Sequence, residues 1–282
     1  DRVAPRATSV VYTPQGFYDP PTGRMAPGRV TVQVTVNEAL QAAPFLSVTP
    51  SGGVPLVVDL TPSCDLQYAG SFTITAETVS GTAYAVFSGR DQVGNRGAEI
   101  DAGQTIKIDT RGPVVGRMVV MPADPIKNDN QSPVTVTVTL GLDEPVKVGT
   151  QAALSYLLSG VGRQATAVTL TEVARQGSDA QTWVGTFVLP ADAGQATPES
   201  MRFSYSGTDD LDNVSTTIAG KTNWQVYQGT LPPLGAPEGL TATPQAGGKI
   251  KLSWQAVPEA VGYQVYRQAP GESELSAHAR VN

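Results

Sequence analysis

The sequence has very little of the residues from which most active sites are built. Its 282 residues include one histidine, His278, and one cysteine, Cys64. A hydrolase triad or an acid–base pair normally uses a histidine or two matched buried carboxylates. A single cysteine excludes an internal disulfide and any metal site built on paired thiolates. The glycine pairs at 51–54 and 246–249 lack the spacing of a phosphate-binding loop and are typical of hairpin turns. We therefore expect a chain without enzymatic activity.

Charge excludes nucleic acid as a partner, and hydropathy excludes a membrane span. Charged residues make up 16% of the chain and the formal net charge is −6, whereas nucleic-acid recognition requires a basic face. No run of about 18 apolar residues is present, so we expect no membrane span. Divalent cations are the natural ionic partners of such a chain.

Valine and threonine alternate in several short segments. Val30 to Val36 and Val134 to Val138 place an apolar residue at every second position, with hydroxyl-bearing or amide residues between them. This period is typical of antiparallel strands with one face on a core and the other in water. Further segments of this kind lie at 45–49, 54–60, 70–76, 82–88 and 104–108, separated by turn residues. Only residues 152–158 fit a helical period. About seven short strands per unit predict β-sandwiches.

The same pattern occurs twice along the chain. The segment "DRVAP" at residues 1–5 matches "DTRGP" at 109–113, and "GRVTVQVTVNEAL" from Gly28 matches "SPVTVTVTLGLDEPV" from Ser132. An interval of about 110 residues indicates tandem domains, because solenoid repeats are shorter. The predicted domains are residues 1–112 and 113–231, with 232–282 left over. Because residue 1 already lies in the linker motif, we expect a piece of a longer array.

The two repeats resemble bacterial immunoglobulin-like domains of large surface adhesins and other secreted multidomain proteins. The resemblance depends on "FSGRDQVGN", which ends at Asn95, and on "IDTRGP", which ends at Pro113. The second copy departs from it, with "YSGTDDLDN" at the turn and "WQVYQGTLPP" in place of the linker. The resemblance implies an all-β fold, with tandem immunoglobulin-like sandwiches in an elongated array.

Residues 232–282 resemble the N-terminal half of a fibronectin type III domain. A proline-rich entry precedes Leu240 on a first strand, Ile250 to Trp254 follow on a second, and Tyr263 to Arg267 on a third. Trp254 falls on the same phase as Ile250 and Leu252, so we expect it to be buried between two sheets. Half a sandwich leaves a core face uncovered, so the missing strands come either from the parent chain or from another chain.

Carboxylates are the one cluster with a specific chemical prediction. In a seven-strand order, the last hairpin turn of each sandwich faces the linker through which the chain enters. That places the turn bearing Asp91 and Asn95 near Asp1, and the turn bearing Asp209 and Asp212 near Asp109. Ca²⁺ takes six to eight oxygen ligands, and related adhesin domains hold Ca²⁺ at such junctions. The candidate metal ligands are therefore Asp1, Asp91, Asn95, Asp109, Asp209 and Asp212. The alternative is that Asp91 and Asn95 satisfy only backbone donors of their turn.

The function expected from these features is mechanical. The chain is expected to be a non-catalytic, rod-like spacer of a bacterial extracellular or cell-surface protein, in contact with neighbouring domains of its parent, with other copies or with a surface ligand. Two alternatives remain open: spacer modules of a secreted enzyme that degrades polysaccharide or protein, and a subunit of an extracellular filament or sheath. Trp183, Trp224 and Tyr227 allow a carbohydrate platform, but core or inter-domain packing is the explanation that the sequence favours.

Overall fold

The part of the chain that the structure describes folds into β-strands and turns. The computed structural model describes residues 3–230, 236–257, 260, 262–268 and 276–281, and none of them forms a helix that is long and apolar enough to cross a membrane. The strands of the first repeat are β1 (Ala7–Pro14), β2 (Tyr18–Asp19), β3 (Arg24–Met25), β4 (Gly28–Val36), β5 (Phe45–Pro50), β6 (Leu56–Val58), β7 (Thr61–Cys64), β8 (Gln67–Ile74), β9 (Gly81–Arg90), β10 (Arg96–Gly97) and β11 (Thr105–Ile108). Those of the second repeat are β12 (Val115–Met121), β13 (Ile126–Lys127), β14 (Thr135–Leu142), β15 (Ala153–Leu158), β16 (Thr166–Val168), β17 (Leu170–Val173), β18 (Gln181–Val188), β19 (Glu199–Thr208), β20 (Val214–Ser215) and β21 (Asn223–Tyr227). The C-terminal strands are β22 (Thr241–Gln245), β23 (Lys249–Ser253), β24 (Tyr263–Arg267) and β25 (Ser276–Val281).

The first repeat forms one β-sandwich, called sandwich 1 below. One sheet has the order β1-β4-β8-β7, and the other has the order β2-β3-β11-β9-β5-β6, with β10 beside β9. The four alternating valines of β4 are at most 2% exposed, and the residues between them face outward. Their side chains belong to a single core that also includes Leu46, Phe72 and Phe87. The period-two pattern thus decides which face of β4 is buried.

The second repeat forms sandwich 2, whose strand order matches that of sandwich 1 except that its described residues form no counterpart of β2. Its sheets are β12-β14-β18-β17 and β13-β21-β19-β15-β16, with β20 beside β19. Its core is more aromatic, since Tyr156 stacks on Phe187 with ring centroids 4.2 Å apart and Phe203 meets Trp224 edge-on at 5.3 Å. The helical period at 152–158 is misleading, because Leu154, Tyr156 and Leu158 alternate inward on β15, which pairs with β19 and β16.

These two sandwiches confirm the predicted fold class, an all-β chain with tandem immunoglobulin-like domains. Their sheets take in residues 7–108 and 115–227, whereas the proposed domain limits at 112 and 231 remain predictions. The second limit falls at residues outside the described part of the chain.

The C-terminal segment consists of two hairpins, β22 with β23 and β24 with β25. Trp254 follows β23 and meets Tyr263 edge-on, with ring centroids 5.1 Å apart, and the Tyr263 hydroxyl accepts a hydrogen bond from the Val257 backbone at 2.7 Å. Trp254 is half-buried instead of buried as expected, because the described residues of this segment form only two two-stranded sheets. Leu240, Leu252 and Val265 line the same open apolar face.

Candidate functional site at the junction of the sandwiches

The carboxylate cluster lies where sandwich 1 meets sandwich 2. Strand β11 ends at Ile108 and the chain enters β12 at Val115, so the linker is short. Two loops of sandwich 2 face it, residues 143–147 after β14 and the turn 209–213 after β19. We call these two loops the leading end of sandwich 2. The facing surface of sandwich 1, formed by Phe17, Arg24 and Asp109, is its trailing end.

Asp209 organises the turn of the leading end. It is 2% exposed, and its Oδ1 accepts hydrogen bonds from the backbone N–H groups of Leu211 and Asn213, both at 2.8 Å. Its Oδ2 accepts from the Asn213 side chain at 2.9 Å, and the same amide donates to the Asp109 carbonyl oxygen at 3.1 Å. The turn is thereby attached directly to the incoming linker.

Arg24 bridges the two sandwiches. Its Nη1 lies 2.7 Å from Asp109 Oδ2 and 3.6 Å from Glu144 Oε2. Strand β3 positions Arg24 because it pairs in parallel with β11, which places Arg24 beside Lys107 and two residues from Asp109. On the neighbouring side of the junction, Lys147 of sandwich 2 lies over the ring of Phe17, 5.5 Å from its centroid.

Three carboxylates converge behind this guanidinium. Oxygen atoms of Asp109, Glu144 and Asp209 all lie within 4.8 Å of one another. Burial, followed by the nearby charges of Asp109, Asp209 and Asp143, raises the pKa of Glu144 to about 7. Arg24 carries a single positive charge, so it only partly compensates the negative charge of these carboxylates.

The structure brings only some of the predicted ligands together. Asp109 and Asp209 come together, as the sequence predicts, and Glu144 joins them. Asp212 instead contacts Lys147. Asp1 lies outside the described residues. Glu144 was not predicted, although the sequence contains a signal for it: "DEPV" follows β14 as "NEAL" follows β4, so a glutamate stands at the same point in both repeats.

Asp91 and Asn95 build the corresponding turn of sandwich 1. Asp91 Oδ1 accepts from Val93 and Asn95 backbone N–H groups at 3.0 and 2.8 Å, and its Oδ2 accepts from the Asn95 side chain at 2.7 Å. Burial opposes the ionisation of Asp91, but these hydrogen bonds outweigh it and hold the pKa of Asp91 below its usual range. Both residues thus hold the backbone of their turn as Asp209 and Asn213 hold theirs, and a metal at this turn stays a prediction.

The aromatic residues considered for carbohydrate binding belong to the core. Trp183, Trp224 and Tyr227 are at most 9% exposed, so their faces are closed to a sugar ring. His278 and Cys64 are exposed and lie in different parts of the chain.

Comparisons with known proteins show an architectural likeness. No protein-family model matches the chain, and no curated protein matches it. Among solved structures, the FN1–FN3 domains of chicken CNTN1 align over 98% of this chain and 85% of that one, with 10% identity and a TM-score of 0.34. A tetra-tandem repeat in the extending region of a large adhesion protein aligns over 89% of this chain and 63% of that one, with 13% identity and a TM-score of 0.29. A DUF4785 family protein from Legionella pneumophila aligns over 74% and 56%, with 8% identity and a TM-score of 0.28. At these identities and scores the similarity carries no argument about function.

Proposed function

We propose that this chain is a non-catalytic spacer, a rod-like segment of a bacterial extracellular or cell-surface multidomain protein. The observation that carries the proposal is the junction. The trailing end of sandwich 1 and the leading end of sandwich 2 are connected by the Arg24–Glu144 ion pair and by the hydrogen bond from the Asn213 side chain to the Asp109 carbonyl, as well as through the peptide chain. Because the linker takes part in these contacts, few of its residues are free to act as a hinge. Pro113 restricts the backbone of the linker further. Its partners would be neighbouring domains, other copies or a surface ligand.

Calcium is proposed as a further element of this junction. Asp109, Glu144 and Asp209 supply hard oxygen ligands whose mutual distances of at most 4.8 Å allow contact with one ion. These three residues would provide part of the six to eight oxygens that Ca²⁺ takes, and water would complete the set. The ion would neutralise charge that Arg24 leaves uncompensated. Asp91 and Asn95, which are predicted ligands at the entry to sandwich 1, and Asp212 would lie outside this ligand set, and Asp1 is not among the described residues.

The test compares the intact chain with and without calcium. Solution scattering is expected to give a longer maximum dimension with Ca²⁺ than with chelator, and calorimetry a higher melting temperature. Asp109→Asn removes one charge from the cluster and is expected to abolish both differences. Asp101→Asn is the matched control, because Asp101 pairs with Arg6 on the surface of sandwich 1.

Identical scattering and melting in the two conditions would reject the calcium site. The spacer proposal is tested separately by the calcium-free profile. It fails if that profile requires freely reorienting sandwiches.

A second candidate function, a subunit of an extracellular filament or sheath, is favoured by the open apolar face of the C-terminal hairpins. Leu240 there is 66% exposed and lines the face together with Leu252 and Trp254. A mass measurement of the native assembly distinguishes the two functions, since a filament subunit is expected in ordered multiples and a spacer as a monomer. Spacer modules of a secreted enzyme would behave as the first candidate does in every one of these measurements.

A further inference from the structure

The leading end of sandwich 1 is built in the same way as the leading end of sandwich 2. Val36 pairs with Ala7, and Leu142 pairs with Val115 at the corresponding place. The next residues therefore correspond one to one, so that Glu38 is the counterpart of Glu144. Gly89 pairs with Gly97 in one repeat and Gly207 with Ser215 in the other, which makes Asp91 to Asn95 the counterparts of Asp209 to Asn213.

Hydrogen bonds confirm this correspondence independently of the strand register. Arg6 N donates to Asn37 Oδ1 at 2.7 Å, and Val114 N donates to Asp143 Oδ1 at 2.7 Å. Gln41 N donates to the Arg90 carbonyl at 2.8 Å, and Lys147 N donates to the Thr208 carbonyl at 2.7 Å. The two loops thus hold the same backbone geometry in both sandwiches.

The two ends differ in what covers them. At the leading end of sandwich 2, Leu211 at the tip of the turn is 3% exposed, although it is outside the sandwich core, and Asn213 is 7% exposed. At the leading end of sandwich 1, the counterpart of Leu211 is Val93, which is 66% exposed. An apolar residue at the tip of a polar turn is thus buried where a neighbouring sandwich is present and exposed where the described chain has none.

We infer that the leading end of sandwich 1, formed by residues 37–41 and 91–95, is a docking surface for the trailing end of another immunoglobulin-like sandwich. The chemistry of the occupant follows from the occupied copy. An arginine at the position of Arg24 would face Glu38, as Arg24 faces Glu144 in the observed junction. The apolar tip at Val93 would be covered as Leu211 is.

A second copy of this chain does not meet these requirements. The trailing end of its sandwich 1 already contacts its own sandwich 2. In sandwich 2, Met25 corresponds to Ile126 and Ile108 to Val226, because both pairs are parallel partners in their sheets. Pro125 therefore stands where Arg24 would be needed, and Tyr227 where Asp109 would be needed. The occupant is instead a sandwich with the trailing end of sandwich 1.

The experiment provides that occupant by extending the full chain. A second copy of residues 1–108 is placed ahead of residue 1, so that Ile108 of the added copy is followed by "DRVAP" in the register of "DTRGP". Each copy of sandwich 1 then carries Cys64, which is exposed and is the only cysteine of the sequence. Spin labels on the two cysteines report the distance across the new junction by double electron–electron resonance, measured in chelator.

The unsubstituted extended chain is expected to give one narrow distance peak. Arg24→Ala in the added copy, or Glu38→Ala in the original copy, should broaden that peak. The same substitutions in the other copy are matched controls: Arg24→Ala there affects only the junction with sandwich 2, and Glu38→Ala only the free end. Both are expected to leave the peak unchanged.

A broad distribution in the unsubstituted chain would overturn the inference. So would a narrow peak that neither substitution changes, because the linker alone would then set the geometry. The inference rests on the proposed spacer function but is independent of calcium. If the calcium test fails while the narrow peak is present, the docking surface stands.

Discussion

A tyrosine hydroxyl that binds the incoming segment is present in sandwich 2 and missing at the corresponding place in sandwich 1. The Tyr205 hydroxyl of sandwich 2 is buried and donates a 3.0 Å hydrogen bond to the Pro113 carbonyl of the linker, and burial raises the pKa of Tyr205 well above its usual range. The corresponding residue of sandwich 1 is Phe87, which carries no donor. A Cβ at Gly207 would lie 2.1 Å from the Tyr205 hydroxyl oxygen, so a glycine is required beside the ring.

Tyr205→Phe is therefore expected to destabilise sandwich 2 by about 1–3 kcal/mol, because it leaves the buried Pro113 carbonyl without its donor. Urea unfolding followed by tryptophan fluorescence measures this, since Trp183 and Trp224 are in the core of sandwich 2 and sandwich 1 contains no tryptophan. Tyr84→Phe on the exposed face of sandwich 1 is the control. An unchanged unfolding midpoint for Tyr205→Phe would show that water replaces the donor.

Glu199 gives sandwich 2 a defined response to acid. It is 7% exposed and accepts hydrogen bonds from Arg163 Nη2 at 2.8 Å, from Gly160 N at 3.0 Å and from Gly194 N at 3.1 Å. The side-chain hydrogen bonds from Arg163, which outweigh the effect of burial, lower the pKa of Glu199 below its ordinary value of 4.5. The ionised form is thus favoured in the folded state.

A lowered pKa stabilises the folded state at pH values above the unfolded pKa, and this contribution is lost as the pH falls through the folded pKa. Glu199→Gln should therefore cost about 1.5–3 kcal/mol near neutral pH, the range for hydrogen bonds to charged groups. The difference from the unsubstituted chain should shrink in acid. Urea unfolding at several pH values checks this, with the exposed Glu172→Gln as control. A difference that does not depend on pH would mean that the carboxylate charge is irrelevant.

At the scale of elements, the linker is part of the sandwich that it enters. A Cβ at Gly112 would lie 2.4 Å from the Asn213 carbonyl oxygen and 2.8 Å from Ser215 N, so the linker packs directly against β20. In sandwich 1 the contact is reversed, because there the strand residue Gly97 approaches Pro5 of the segment leading into β1. In each repeat a glycine allows this approach, once from the linker and once from the strand.

Gly112→Ala is expected to displace the linker and destabilise sandwich 2 by about 1–3 kcal/mol, as overpacking does in a tight contact. Gly116→Ala is a close control, because a Cβ at Gly116 would meet its nearest atom only at 3.9 Å. Calorimetry of the two variants compares them directly. Equal melting temperatures would show that the linker can move away from β20 at no cost.

The long strands could be predicted from the sequence because one face of each is buried. The alternation in β4 and β14 follows from that burial, and so does the repeat that relates the sandwiches. The two-residue strands β2, β3 and β13 are too short to show any period, yet β3 places Arg24 at the junction. Residues 152–158 were ambiguous because six apolar residues in seven fit both periods, and only the pairing of β15 decides between them.

The candidate site was predictable only in part, for a geometric reason. Asp109 and Asp209 follow from the general order of strands in a sandwich. The repeat marks Glu144 as the counterpart of Glu38, but its place beside Asp109 requires the register of β14 with β12, which sequence spacing does not give. Asp212 has a positive φ of 62° at the turn, where sandwich 1 has Gly94, and its side chain contacts Lys147 instead of the cluster.

At the scale of the whole molecule, Arg24 and a calcium ion would compete for the same oxygens. The guanidinium lies 2.7 Å from Asp109 Oδ2 and 3.6 Å from Glu144 Oε2, so it holds the two sandwiches together without a metal. Removing it leaves Asp109, Glu144 and Asp209 to repel one another, and their mutual repulsion increases the affinity of the cluster for any cation that enters. Removing Arg24 should therefore weaken the calcium-free junction and strengthen the binding of calcium.

Arg24→Met, which keeps an unbranched apolar side chain, is therefore expected to loosen the calcium-free chain while tightening calcium binding. Solution scattering in chelator should show a broader range of sandwich orientations. Calorimetric titration should show a calcium affinity higher by roughly tenfold, equivalent to about 1.4 kcal/mol. Arg6→Met removes an exposed ion pair with Asp101 and should change neither quantity. If Arg24→Met loosens the junction without strengthening calcium binding, the three carboxylates are not the calcium ligands, and Arg24 is the cation for which this junction is built.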